Sequence, residues 1–134
     1  MQPKNKLNIY KMKSGFTYIM TNKHHNVLYT GCTTDIIRRV TQHKRHFYKG
    51  SFSDKYNCEY CVYFEVFPDY ASSINRENQI KNMTKKEKLD LINSMNPEWK
   101  ELVTEFGICK KPVPWEQQVK KVISDIKKDI DNNE

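Results

Sequence analysis

The sequence predicts an α+β fold in which a small, mainly antiparallel three-stranded sheet is flanked by helices, in the order β-β-α-β-α-α. Two short segments rich in β-branched and aromatic residues come first, and a polar turn separates them, as in a β-hairpin. Helix-like segments preceded by capping residues then alternate with one further apolar strand. A chain of 134 residues is long enough for one domain with a real core.

The hairpin occupies the beginning of the predicted domain. Residues 16–21 form the first strand, residues 22–26 form a polar turn and residues 27–32 form the returning strand. Because opposed residues of an antiparallel pair share a face of the sheet, a tight turn would place Tyr18 and Tyr29 on the same face. Strands favour tyrosine, so each phenol also has a purely structural explanation.

The first helix is predicted from residue 36 to about residue 47, after N-cap candidates at residues 33–35. Apolar residues at helical spacing form its core stripe: Ile36, Ile37, Val40 and Phe47. Polar residues at spacings i, i+4 and i+7 form a second stripe: Arg39, His43 and His46. Solvated helix positions often carry the same residue types, so the stripe alone does not define a function.

The middle of the chain contains the third strand and a second helix. Residues 48–57 are predicted to form a loop, because they contain Gly50, two serines, several aromatic residues and Asn57. The apolar residues 61–67 form a well-buried strand, and Asp69 can cap a helix over residues 70–83.

Two further helices are predicted before the domain ends. The capping-box pattern at residues 84–87 opens a helix that reaches about residue 94. A short helix starts at residues 96–99 and stops at Gly107. After a Pro-Val-Pro break, residues 115–130 have a helical period. The chain therefore divides into a basic arm (1–14), a domain (15–107) and a C-terminal helical appendage (108–134).

Positive charge is concentrated in the first part of the chain. Residues 1–50 contain ten Lys and Arg residues and one acidic residue, Asp35, whereas the rest contains thirteen basic and fifteen acidic residues. This balance fits a polyanionic partner such as nucleic acid, although a solubilising surface would also produce it. No apolar run approaches the ~20 residues of a membrane span, and no signal-peptide pattern is present, so we expect a cytoplasmic protein without a membrane partner.

The four cysteines are expected to remain thiols in that compartment. Cys58-x-x-Cys61 could combine with His43-x-x-His46 as a zinc site. The two cysteines adjoin a strand rather than a knuckle turn, and no second Cys-x-x-Cys pattern supports them. Free thiols are therefore the preferred interpretation.

Glu77 is the polar residue that local structure explains least. Ile74 lies three residues before it and Ile80 three residues after it, so the carboxylate falls on the apolar side of its helix. Burying an unpaired carboxylate costs several kcal/mol unless a cation, a metal or a donor compensates. The structural alternative is a plain salt bridge. With two phenols, a guanidinium and an imidazole upstream, Glu77 completes the set of groups that metal-dependent phosphodiester cleavage needs.

In combination and order, these segments resemble the GIY-YIG endonucleases. More narrowly, they are similar to small single-domain proteins related to the N-terminal nuclease domain of the excision-repair endonuclease. The resemblance covers about residues 16–106 and depends on five segments: residues 18–22, 28–40, 63–65, 74–81 and 96–99. Phe16-Thr17 replaces the Gly-Ile of the first motif, and Thr30 replaces the Ile of the second. Those positions mostly shape the strands.

The resemblance implies a nuclease that depends on Mg²⁺ or Mn²⁺ held by Glu77. It assigns Tyr18 and Tyr29 to the two motif tyrosines, Arg39 to the catalytic arginine and His43 to the histidine one turn later. Arg39 would bind phosphoryl oxygens, and Tyr29 would orient the water or the phosphate. Either Tyr18, with its pKa lowered by the metal or a neighbouring cation, or His43 would be the general base. Basic side chains near these positions are candidates for DNA contacts: Arg38, Lys44, Arg45 and His46.

The main alternative is a non-catalytic nucleic-acid-binding module that keeps the same fold. A divalent ion near Glu77, and cleavage that depends on it, would distinguish the two. We recognise no second DNA-binding domain in the sequence. We therefore expect the basic arm, the loop at residues 48–57 or a protein partner to select the substrate. A separate protein-interaction role of the C-terminal helix has little support in the sequence.

Overall fold

The computed structural model describes residues 14–110, so most of the predicted arm and appendage lie outside the described residues. In chain order, the elements are β1 (Gly15–Thr21), β2 (Leu28–Thr33), α1 (Ile36–Lys44), α2 (Phe52–Lys55), β3 (Tyr60–Phe67), α3 (Tyr70–Lys81), α4 (Lys85–Met95), β4 (Val103–Thr104) and β5 (Gly107–Ile108). The predicted α+β class is confirmed, with short extra elements at α2 and at β4–β5.

The main sheet has the strand order β2-β1-β3, and both pairings are antiparallel. In the central strand, Tyr18 is paired with Gly31 of β2 and with Phe64 of β3. Tyr29 of β2 is paired with Met20, which lies two positions after Tyr18 in β1. Side chains two positions apart in a strand point to the same face, so the two tyrosines share a face, as the sequence predicts.

Helices cover both faces of this sheet. The Tyr18 hydroxyl lies 2.9 Å from Nε2 of His43 in α1. The hydroxyl of its neighbour Thr17 donates to the carbonyl oxygen of Ser73 in α3, at 2.8 Å. Because adjacent side chains of a strand point to opposite faces, α1 and α3 lie on opposite sides of the sheet. The core fills the space between these layers, and its largest fully buried members are Tyr18, Phe64, Ile19, Met20, Ile80, Ile92 and Leu102.

The predicted helix starts are confirmed by their caps. The Asp35 carboxylate accepts from the backbone N–H of Arg38, at 3.1 Å, and begins α1. The Asp69 carboxylate accepts from the N–H of Ser72, at 2.7 Å, and begins α3. Thr84 and Glu87 form the complete capping box of α4. Each cap satisfies N–H groups that the first helical turn leaves without a partner.

The first helix is shorter than predicted. It ends at Lys44, and His46 then adopts a positive φ of 53° that turns the chain away. Phe47 consequently leaves the helix face and is 63% exposed, so its assignment to the core was wrong. The loop expected at residues 48–57 contains α2, whose N-cap Ser51 accepts from the N–H of Asp54.

The prediction of a helix over residues 96–107 is also wrong. The buried Asn96 side chain donates to the carbonyl oxygens of Val62 and Lys100, and these bonds hold the chain in a turn. Leu102 then donates its N–H to the carbonyl oxygen of Cys61, at 2.8 Å, and the chain continues into the β4–β5 hairpin. Contacts with β3 therefore override the local helical pattern. The predicted boundary at residue 107 falls inside β5.

Candidate active site

Four of the five predicted catalytic residues converge on one face of the sheet. Tyr18 is their centre: its hydroxyl bonds to His43 and also accepts from Nε of Arg39, at 3.2 Å. The Tyr29 ring lies beside both aromatic partners, with its centroid 6.4 Å from that of Tyr18 and 5.2 Å from that of His43. The hairpin supplies the two tyrosines, and one turn of α1 supplies Arg39 and His43.

Gly31 leaves the space that this cluster needs. A Cβ atom at Gly31 would lie 2.5 Å from the Tyr18 hydroxyl oxygen and 3.1 Å from the Tyr29 ring. Since the first distance is shorter than any tolerated contact, another side chain would push the Tyr18 phenol away from its partners. The glycine of the second motif therefore has a packing role at this site.

A residue that sequence reasoning missed completes the set. Nδ1 of His43 lies 2.7 Å from the Ser53 hydroxyl, which also donates to the carbonyl oxygen of Cys58. Because that hydroxyl has a single proton, it must accept from Nδ1–H. Nε2 of His43 is then an acceptor, and the Tyr18 hydroxyl donates to it. No motif in the sequence marks Ser53, since the helix that carries it was not predicted.

Burial determines the protonation states in the cluster. Burial, reinforced by nearby Tyr29, raises the pKa of the Tyr18 phenol well above its usual range, despite the opposing effect of Arg39. The expectation that a neighbouring cation lowers the pKa of Tyr18 is thus wrong, because burial outweighs the effect of Arg39. Burial and then the Arg39 charge lower the pKa of His43 to about 4, so its imidazole is neutral at pH 7. Burial alone would lower the pKa of Arg39, but the hydrogen bond to Tyr18 raises it, so the guanidinium remains charged.

A pocket of about 380 Å³ opens beside the cluster. Tyr29, Arg39 and His43 line it, whereas Tyr18 is fully buried behind them. The groups that can meet a bound molecule are therefore a phenol, a charged guanidinium and a neutral imidazole. Behind the pocket wall, the Tyr18 hydroxyl positions Arg39 and His43 through its two hydrogen bonds.

Glu77 lies apart from this pocket, on α3 at the other face of the sheet. Its half-buried carboxylate pairs with Lys81 at 3.0 Å, so the structural alternative of a salt bridge is present. Glu77 faces inward with the buried Ser73 and Ile80, and its side chain is only 16% exposed. Ile74 is 37% exposed, so only this member of the predicted apolar face was misplaced. Beside β2, the Glu77 carboxylate interacts with the Cys32 thiol, whose pKa is raised by burial and further by Glu77. Within the described residues, its hydrogen bonds do not reach the four clustered residues.

The buried carboxylate of this domain is instead Glu65 of β3, which is 1% exposed. Nε of Arg76 in α3 donates to both of its oxygens, at 3.1 and 3.0 Å, and the Tyr63 hydroxyl also donates to it. A buried carboxylate requires such partners, because desolvation of an unpaired charge is costly. The position of Glu65 within a strand gave no sign of this pairing.

The four candidate DNA contacts differ in their availability. Arg38 is exposed, and within the described part of the chain its side chain has no ion pair. Arg45 is exposed but pairs with Glu105. The other two already have partners within the domain. Lys44 donates to the Glu59 carbonyl oxygen and pairs with the Glu101 carboxylate, and the His46 ring bonds to the Asp54 and Glu59 carboxylates. Arg38 is therefore the candidate that is most available to a phosphate.

The cysteine and histidine pattern does not form a zinc centre in the described structure. Both ring nitrogens of His43 and of His46 are engaged by hydrogen bonds to other residues. Cys58 and Cys61 are buried free thiols, whose pKa values burial raises to about 11 and about 12. Over residues 14–110, no group of three His, Cys, Asp or Glu side chains is arranged to hold a metal. No described helix has the length and apolar character to cross a membrane.

We expect His43 to make the protein sensitive to acid. The unfolded chain binds a proton at His43 near pH 6.5, whereas the folded protein does so only near pH 4. Stability is therefore complete above pH 6.5 and falls as the pH decreases toward 4, by about 3 kcal/mol at the lower limit. Denaturant unfolding of wild type and His43→Gln across this range measures the difference. Carboxylates titrate in both proteins, so parallel pH curves would contradict the assignment.

Comparison with known proteins gives three findings. The family model described as the GIY-YIG catalytic domain matches residues 14–90. A UPF0213 protein of Syntrophus aciditrophicus (strain SB) is 32% identical over 87 residues, which cover 65% of this chain and 98% of the relative. The solution NMR structure of a UPF0213 protein from Bacillus halodurans is 22% identical, with a TM-score of 0.42, and covers 66% of this chain and 92% of its own.

The family match spans the hairpin, α1, α2, β3 and α3, which carry every residue of the candidate site and the predicted metal ligand. The resemblance seen in the motifs and the match over more than half of the chain agree. This chain belongs to the GIY-YIG family.

Proposed function

We propose that this protein is a divalent-metal-dependent endonuclease that hydrolyses phosphodiester bonds of DNA, in repair, recombination or processing. GIY-YIG domains are in general nuclease domains that act on DNA. The observation that carries the proposal is the set of contacts around Tyr18, which holds a neutral imidazole beside a charged guanidinium at one pocket.

Arg39 is suited to bind the phosphate. Its Nε donates to Tyr18, and its Nη1 donates to the Gln42 side chain at 3.2 Å. These two bonds fix the plane of the guanidinium, which can present its other donors to the non-bridging oxygens as a fork. Charge that develops on those oxygens in the transition state would be stabilised without reorganisation of the protein.

His43 is suited to accept the proton of the attacking water. Its imidazole is neutral and lines the pocket, and its Nε2 is an acceptor whose present donor is the Tyr18 hydroxyl. We assign the base to His43: water replaces that hydroxyl at Nε2, its proton moves to the nitrogen, and its oxygen bonds to phosphorus. The bond from phosphorus to the leaving oxygen of the phosphodiester then breaks, and that oxygen takes a proton from solvent. The imidazolium keeps its Nδ1–H bond to Ser53. Tyr18 then positions Arg39 through their hydrogen bond, and Tyr29 orients the water or the phosphate from the pocket wall.

Glu77 is the residue that would hold Mg²⁺ or Mn²⁺. Mg²⁺ is commonly bound by one or two carboxylates together with substrate phosphates, so a single half-buried carboxylate fits its requirements. When bound, the ion supplies Lewis-acid stabilisation of the phosphoryl and leaving oxygens. Lys81, whose side chain is 52% exposed, can release the carboxylate to such an ion.

A cleavage panel tests the proposal. Full-length protein is incubated with single-stranded, duplex, nicked and branched DNA, with Mg²⁺ or Mn²⁺ and, as the matched control, with excess chelator. We expect cleavage of at least one substrate that stops when the chelator is added. If no substrate is cut with either ion while DNA still binds, the protein is the non-catalytic module that keeps the fold, and the nuclease proposal fails.

A further inference from the structure

The segment between α1 and β3 exposes four large aromatic side chains next to the pocket. Phe47 is 63% exposed, and Tyr48, Phe52 and Tyr56 are 50%, 48% and 49% exposed. We call these four residues the aromatic strip. Rings of this size are normally buried, because exposing their apolar surface to water costs free energy. Their exposure within ten consecutive residues indicates a binding surface.

The strip is continuous with the candidate active site. Phe47 and Tyr48 line the pocket and contact each other, with ring centroids 4.9 Å apart. On the other side, Phe52 stacks on Tyr29 at 6.2 Å and contacts Tyr56 at 4.6 Å. The strip thus flanks the site with two aromatic pairs.

The charges around the strip favour a nucleic-acid ligand. The Arg39 guanidinium lies 4.9 Å from the centre of the Tyr48 ring, and Lys49 and Lys55 are exposed on the same segment. Asp54 also faces the pocket, but its carboxylate is bonded to the His46 ring and the Gly50 N–H. Aromatic rings between basic side chains form the surface on which single-stranded nucleic acids bind.

We propose that the aromatic strip stacks the unpaired bases of single-stranded DNA and thereby places the backbone at Arg39. This inference rests on the proposed function and specifies its substrate class. In a duplex, the faces of the bases are already stacked on one another and only their edges are accessible in the grooves, so exposed rings can stack only on unpaired bases. The pocket volume of about 380 Å³ is within the range of small-ligand pockets and can accept a nucleotide that leaves the stack.

The test measures binding without metal, so that it does not depend on cleavage. Tyr56→Ala and Phe47→Ala are the informative variants, because within the described residues their ring contacts are with other members of the strip. Phe106→Ala is the matched control, since Phe106 is an aromatic residue outside the strip that is 92% exposed at the turn of the β4–β5 hairpin. The probes are a single-stranded oligonucleotide of about 12 nucleotides containing 2-aminopurine and the same sequence as a duplex.

We expect each strip variant to lose about 5- to 150-fold in affinity for the single strand, with little change for the duplex. Wild type should also quench 2-aminopurine fluorescence through stacking, and each variant should quench less. The Phe106→Ala control should match wild type in both measurements. Unchanged single-strand affinity, an equal loss for both DNA forms, or a change in oligomeric state instead of DNA affinity would each overturn the proposal. If the protein shows the expected binding pattern but cleaves nothing with any divalent ion, the nuclease proposal fails and this inference stands.

Discussion

Arg39→Ala should lower cleavage at saturating DNA by about 10²- to 10³-fold, the usual effect of removing one donor from a charged transition state. It should also weaken DNA binding by about 1.5–3 kcal/mol, the scale of a hydrogen bond to a charged group. Arg39→Lys keeps the charge but loses the planar fork and its bond to Tyr18, so it should restore binding more than cleavage. Single-turnover cleavage and metal-free binding measure the two effects separately.

Arg38→Ala is the matched comparison, because Arg38 is the neighbouring residue of α1 with an exposed side chain. It should weaken binding through the loss of a phosphate contact but leave cleavage at saturating DNA near the wild-type rate. If Arg39→Ala behaves as Arg38→Ala does, Arg39 contributes only to binding, and its role in the proposed reaction is wrong. Unfolding midpoints establish that both variants remain folded.

Glu77→Gln should remove the Mg²⁺-dependent part of cleavage while sparing the fold. The substitution keeps the size and hydrogen-bonding capacity of the side chain but removes the charge that a hard cation requires. The exposed Lys81 loses an i,i+4 partner, which costs only about 0.3–0.5 kcal/mol of stability. Metal-free DNA affinity should stay the same or rise, because a carboxylate that repels phosphate is gone.

Glu98→Gln is the control. Glu98 also pairs with a lysine, Lys100, but its side chain is exposed and it is not a residue of the candidate site. It should cleave as wild type does. Mg²⁺ titrations monitored by cleavage separate weaker metal binding from a defect that no metal concentration repairs. Wild-type cleavage by Glu77→Gln would exclude this residue as the metal ligand and leave the salt bridge with Lys81 as its role.

Local patterns were enough for most of the fold. The caps at Asp35, Asp69 and Thr84 predicted three helix starts, because a cap depends on residues within one turn of the chain. Segments rich in β-branched and aromatic residues and the polar turn between them predicted the hairpin, and with it the shared face of Tyr18 and Tyr29. The helical spacing of Arg39 and His43 predicted their proximity.

The errors occur where contacts between distant segments outweigh the local pattern. Residues 96–107 have helical features, but hydrogen bonds to β3 hold them as a turn and a hairpin. Phe47 has the correct helical spacing for the core, yet the helix ends before it. Ile74 has the correct spacing for the core side of its helix, yet it is exposed, and the fully buried carboxylate of the domain is Glu65, which Arg76 stabilises from the facing helix.

The sequence by itself determined the family, the order of the elements and the identities of the reactive groups, because these depend on residue type and on spacing along the chain. Only the tertiary structure decided what each group can do. Tyr18 is a buried positioning residue and His43 a neutral acceptor because segments 25 residues apart meet and bury nearly all of both side chains. Ser53 determines the tautomer of His43 from a helix that the sequence did not predict. Burial and hydrogen-bond partners set protonation, and both arise only when the chain has folded.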